Sequence, residues 1–153
     1  MAILSCANTV SDHGLKALTT VPKCVSSVEV TSLEDRIRRF LLAHGASGDT
    51  AGEMAPLFAR NKYPRVMASI AVVETVCDPH AVGAAGEVSM FQILRWPGGD
   101  PTDNAHALQV AIAHLDEKVR ITGSLWPAVR AYNGRGPRAD KYREKIRTLV
   151  CQI

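Results

Sequence analysis

The sequence predicts a mainly α, single-domain protein. Apolar residues recur at three-to-four spacing in several segments, helix-starting residues stand at the heads of those segments, and the chain's size suits one core. At 153 residues with 46% hydrophobic and 22% charged residues, the chain has the balance of a globular domain rather than of a disordered one. There are no internal repeats or low-complexity tracts.

Residues 1–31 carry no sustained period and are expected to form an N-terminal arm to which the sequence assigns no role; VSSVEV over 25–30 suits a short strand or an extended stretch. The domain proper is expected over 32–153. Ser32 suits an N-cap with Asp35 three residues on, and Leu33, Ile37, Phe40, Leu41 and His44 then mark one helix face, stopped by Gly45. A second helix is expected over about 50–61, burying Met54, Leu57 and Phe58. Pro64 restarts the chain as proline does at a first helical position. From there to Val76 nearly every face is apolar, so this third helix is expected to be buried on most sides.

From Cys77 to Asp103 glycine and proline multiply, predicting a long loop with at most a small β element at Met90–Ile93; loops of this length in compact domains usually carry function. Asp103 or Asn104 caps a helix running to about Ile121, a short helix spans about 127–132, and Gly134-Arg135-Gly136-Pro137 breaks the chain before a basic helix over about 140–149.

Glu74 is the anomaly. It shares the apolar stripe of Met67, Ile70 and Ala71, at i+7 from the first, and has no basic residue three or four positions away on either side. Burial, with repulsion from Asp78, is expected to raise its pKa, the condition a carboxylic acid needs to donate a proton near neutral pH.

The residues around Glu74 carry a resemblance. Ile70-Ala71-Val72-Val73-Glu74-Thr75 with Pro79-His80-Ala81, then Gly86-Glu87-Val88-Ser89-Met90-Phe91-Gln92, then Ala131-Tyr132-Asn133-Gly134 stand in the order of three motifs of the soluble lytic transglycosylases. Over roughly 51–147 the chain resembles that family, relatives of goose-type lysozyme, with a weaker match at His114-Leu115. Thr75 stands where serine is usual, Ser89 for a glycine, Met90-Phe91 for Leu-Met.

The resemblance implies a lysozyme-like helical fold and cleavage of the β-1,4 bond between N-acetylmuramic acid and N-acetylglucosamine, with 1,6-anhydromuramyl ends. Glu74 would be acid and then base, Gln92, Asn133, Ser89, Met90 and Phe91 would contact saccharide or shape its loop, and Tyr132 would place its hydroxyl near the carboxylate. No cofactor and no metal is implied. The implied partner is the peptidoglycan glycan strand and the implied location the cell envelope, periplasmic, extracellular or on a virion, alone or within a secretion, conjugation or phage-tail assembly. The rivals are a goose-type hydrolase and a catalytically weak peptidoglycan-binding module.

Other residues read more plainly. Glu87 suits a solvated or capping loop residue, with a second catalytic carboxylate as its alternative, while Asp78 and Asp100 precede prolines as turn residues do. His114 suits a satisfied structural histidine, and Trp96 and Trp126 suit core as well as sugar stacking. The basic residues from Arg135 to Arg147 suit a solvated helix face. A formal charge of only +3 gives no footprint for nucleic acid, and none is expected as a partner. No apolar run approaches the roughly 18 residues that span a bilayer, and Met1–Cys6 lacks the basic start and apolar stretch of a secretory signal. Cys6, Cys24, Cys77 and Cys151 allow three pairings, none chosen by the sequence, and offer no metal-ligand spacing.

Overall fold

The structure, a computed structural model, describes residues 31–153. The expected arm, its short strand, and Cys6 and Cys24 lie outside the described residues, Thr31 apart. Among the described residues there are six helices and no sheet: α1 (Leu33–Ala43), α2 (Gly48–Arg60), α3 (Pro64–Thr75), α4 (Asn104–Thr122), α5 (Leu125–Asn133) and α6 (Pro137–Val150). No described helix is long and apolar enough to cross a membrane.

Side chains named by the sequence start the helices. The Ser32 hydroxyl accepts the Asp35 N–H at 3.0 Å, and the Asp103 carboxylate accepts those of Ala105 and His106, each at 3.0 Å. Pro64 opens α3 without a side-chain cap; in its place Asn61 Oδ1 takes the Tyr63 N–H at 2.6 Å, and Tyr63 Oη and Lys62 Nζ both reach Asp116 Oδ1 on α4, at 2.6 and 2.8 Å. Three helix starts differ from expectation, and α5 begins at Leu125 rather than at about residue 127. The second helix starts at Gly48 because the Ser47 hydroxyl caps it through the Thr50 N–H. The last starts at Pro137, three residues before Asp140, because Gly136 takes φ +82° and Pro137 fits the first helical turn.

α3 is the centre of the molecule, touching α1, α2, α4 and α6. Its residues Val66 to Val72 are all buried, which is why its sequence is apolar all round. Met54 and Phe58 of α2 pack into the same core, whereas Leu57 is only partly buried at its margin. Phe58 meets Phe91 of the loop edge to face, ring centres 6.2 Å apart. That contact anchors the long loop to the helical core. Its β content is two isolated antiparallel bridges, Val82 with Val88 and Val88 with Ile93.

The end of α3 is strained. Val76 and Cys77 take φ +59° and +63°, left-handed geometry that costs a non-glycine residue about 1–3 kcal/mol and persists only where surroundings enforce it. Here the Cys77 N–H reaches back to Ala71 O at 3.0 Å, and the Thr75 hydroxyl accepts the Asp78 N–H and donates to Met90 O, both at 3.1 Å. Cys77 is buried, so its thiol fills core while its backbone turns. The helix end and the loop are therefore one fixed unit, and Glu74 sits one residue before Thr75 at their junction.

Candidate active site

A cavity of about 710 Å³ opens at this junction. Four separate stretches of the chain wall it: Glu74 from the end of α3, the loop through Gly83, Glu87 and Gln92 to Arg95, His114 and Lys118 of α4, and Ala131 to Gly134 at the end of α5. The three motifs read from the sequence are thus brought to one place.

Glu74 is partly buried. Its Oε1 accepts a 2.6 Å hydrogen bond from the hydroxyl of Tyr142, a residue of α6 that is 7% exposed. Its Oε2 makes no hydrogen bond among the described residues. Burial raises the Glu74 pKa above the ordinary carboxyl value; the Tyr142 hydroxyl pulls it back, the charge of Glu87 pushes it further up, and Lys145 draws it down. The like charge is therefore Glu87 and not Asp78. Asp78 is exposed and spent on the turn, its Oδ1 accepting the His80 N–H at 2.9 Å.

Tyr142 was not legible as a site residue because α6 reads from the sequence as a basic face. Its buried stripe, Ala139, Tyr142, Ile146 and Leu149, has helical spacing and is the signal that finds it: a tyrosine in such a stripe needs a partner for its hydroxyl. α6 packs on α3, and the partner is Glu74. Burial and the neighbouring Glu74 both push the Tyr142 and Tyr132 hydroxyls well above their ordinary values, so both remain donors.

Tyr132 lines the cavity close enough to feel the Glu74 charge, but its hydroxyl donates to Phe91 O at 3.0 Å, and the hydrogen bond to the carboxyl comes from Tyr142. Gln92 and Asn133 both line the cavity, Asn133 exposed and Gln92 partly buried. Gln92 takes φ +51° and its amide donates to Ser89 O at 3.1 Å, which holds the side chain against the loop. Ser89, Met90 and Phe91 require correction as saccharide-contacting side chains. Their exposures are 1%, 0% and 0%, and none lines the cavity. All three side chains are buried because the turn, with Ser89 and Gln92 at positive φ, folds onto the core where Phe91 meets Phe58, and what they give the site is backbone: Met90 O holds Thr75, and Phe91 O holds Tyr132.

Glu87 enters the cavity wall. Its Oε2 accepts the Ala85 N–H at 3.0 Å, the capping role expected of it, while its carboxyl stands beside Gln92 over Gly83. A methyl group added at Gly83 would lie 2.6 Å from Gln92 Oε1 and collide with the Glu87 carboxyl. A side chain there would have to push the tips of Glu87 and Gln92 aside.

His114 also lines the cavity, with its ring edge to face on Tyr132 at 5.1 Å; burial first, then Lys118, lowers its pKa, which favours the uncharged ring. Trp96 is tied to Gly99 O at 3.1 Å, and Trp126 carries the Arg147 guanidinium over its ring at 5.3 Å. Neither tryptophan lines this cavity. Among the described residues no three His, Cys, Asp or Glu side chains converge as metal ligands.

The arrangement can deliver one proton from a protonated carboxyl into a polar cleft and take one back. Compared with known proteins, the chain matches no family model, no curated protein and no solved structure.

Proposed function

We propose that the chain is a peptidoglycan lytic transglycosylase with a lysozyme-like arrangement of helices, acting in the cell envelope. The observation that carries the reading is Glu74: a partly buried carboxyl with a raised pKa, at the end of the central helix, opening into a cavity that also collects Gln92, Tyr132 and Asn133. The three motifs that resemble the family meet there.

In this reading Glu74 starts protonated and gives its proton to the glycosidic oxygen between muramyl and glucosaminyl units, so the C–O bond breaks with a neutral leaving group. The Tyr142 hydroxyl stabilises the carboxylate left behind. The carboxylate then takes the proton of the muramyl C6 hydroxyl as that oxygen attacks C1, closing a 1,6-anhydro ring. The attack is intramolecular, and the sugar's acetamido group can stabilise the positive intermediate, so no second protein carboxylate is needed. Gln92 and Asn133 orient the sugar by hydrogen bonds.

A second reading, a goose-type hydrolase, is favoured by one observation: Glu87 lines the same cavity. A second carboxylate can activate water in place of the C6 hydroxyl. A binding module of a secretion, conjugation or phage-tail assembly would use the same cleft without turnover. Mass spectrometry of muropeptides released from purified peptidoglycan separates the three. Anhydro ends support the transglycosylase, ends heavier by one water support the hydrolase, and no release supports the binding module.

A further inference from the structure

A second cavity, of about 380 Å³, lies between the Ile93–Pro97 segment and α4 and shares Ile93, Arg95 and His114 with the first. The two therefore adjoin at these residues, and their combined lining marks one face of the protein. That lining follows α4 from His106 to Lys118, which at about 1.5 Å per residue is a path of about 18 Å, long enough for more than one sugar ring.

The charges along this face are unevenly placed. Glu74 and Glu87 both belong to the first cavity, which Lys118 and Arg95 also line, and no carboxylate lines the second, whose walls are Arg95, His106, Gln109, His114 and apolar residues. Arg95 stands where the two cavities join, exposed, and among the described residues it makes neither an ion pair nor a side-chain hydrogen bond. Arg120, Arg130 and Arg143 each hold a carboxylate; other described arginines, Arg65 and Arg135 among them, are also without an ion pair, and what marks Arg95 is its place where the two cavities meet. The wall near Arg95 is fixed: His106 Nε2 is bonded to Gly98 O at 2.9 Å, and the His106 ring packs edge to face on Trp96 at 5.5 Å. An anionic group settling on this face is repelled from the Glu87 side and finds an unoccupied planar fork of donors at the junction, the geometry that holds a carboxylate with two hydrogen bonds.

We propose that the cavity beyond Glu74 is a subsite for an anionic substituent on the glycan, with Arg95 binding a carboxylate of the peptide stem, so that the protein distinguishes peptide-bearing glycan from neutral chitin-type glycan. The proposal rests on the peptidoglycan reading above and adds a substrate class to it. Specificity comes from one exposed guanidinium and not from the carboxyl that performs cleavage. Binding can therefore be read separately from turnover.

The experiment is calorimetric titration of a soluble disaccharide-tetrapeptide muropeptide and of chitotetraose into the protein and into its Arg95→Gln and Arg95→Glu variants, with cleavage of whole peptidoglycan followed alongside. The muropeptide should bind tighter than chitotetraose, and the ratio of the two Kd values should fall about tenfold in Arg95→Gln and further in Arg95→Glu, the worth of one charge-assisted hydrogen bond. Added salt should weaken only the muropeptide. A ratio that stays constant across the variants overturns the proposal even if peptidoglycan is cleaved. An Arg95-dependent ratio without cleavage leaves the proposal standing and removes the catalytic reading. Binding of neither ligand removes both.

Discussion

Tyr142→Phe isolates one hydrogen bond at the proposed acid. The ring of Tyr142 is buried against α3 and would be kept, and only the hydroxyl 2.6 Å from Glu74 Oε1 is lost. Burial raises the Glu74 pKa, so the folded protein keeps this proton to higher pH than the unfolded chain. The stability from that difference is complete below the ordinary carboxyl value of 4.5 and is lost as pH rises through the folded value. The hydroxyl supports the ionised carboxyl most: a hydrogen bond to a charged group contributes about 1.5–3 kcal/mol and one between neutral groups about 0.5–1.5. The variant should therefore lose about 1 kcal/mol more stability at about pH 8 than at about pH 4, and the alkaline limb of its activity profile should move to higher pH. Urea denaturation at the two pH values, with a pH–rate profile on solubilised glycan, measures both. Equal destabilisation at the two pH values together with an unmoved limb would refute the coupling of Tyr142 to the ionisation of Glu74.

Glu87→Gln removes the like charge facing Glu74 while keeping an acceptor for the Ala85 N–H, so the Glu74 pKa should fall and the alkaline limb of the activity profile should move to lower pH; an unmoved limb contradicts the electrostatic account of the cavity. If Glu87 also activates water, the same variant loses hydrolysed ends selectively in the muropeptide spectrum. Gly83→Ala pushes the tips of Gln92 and Glu87 aside without changing an element, and should lower turnover by about 10–100-fold, the scale of an ångström's misplacement, with Tm nearly unchanged; full activity in this variant would show that neither side chain positions substrate. Burial pushes the Cys77 thiol up to about 12, so iodoacetamide near neutral pH should label the exposed Cys151 in the native protein and Cys77 only after denaturation, as read by peptide mapping.

What the sequence made legible was local. Ser32, Pro64 and Asp103 mark helix starts by chemistry confined to a few residues, and the apolar stripes of α1 and α3 follow from one helical period. Pro137 carries the same signal as Pro64, but its glycine-rich surroundings drew it into the break. The site was legible where a motif position coincides with the cavity wall, as at Glu74, Gln92, Tyr132 and Asn133. It was not legible at Ser89, Met90 and Phe91, since a motif names positions and not the side of a turn that each side chain takes. Glu87 lies within the second motif and was weighed as a second carboxylate, whereas Tyr142 reaches the site through the contact between α6 and α3, 68 residues from Glu74 along the chain. No local period announces such a meeting, although the buried stripe of α6 contains Tyr142.

The central claim is that Glu74 transfers the proton, and it is tested most directly by release of muropeptides from purified peptidoglycan by the protein and by its Glu74→Gln variant. The amide keeps the shape of the side chain and an oxygen for the Tyr142 hydroxyl but has no proton to give. Release should fall by about 10²–10⁴-fold, while the variant still binds the glycan and unfolds at the same or a higher temperature at neutral pH, where burying a carboxylate opposes folding. A Glu74→Gln protein that releases anhydro muropeptides at the unmodified rate would contradict the account.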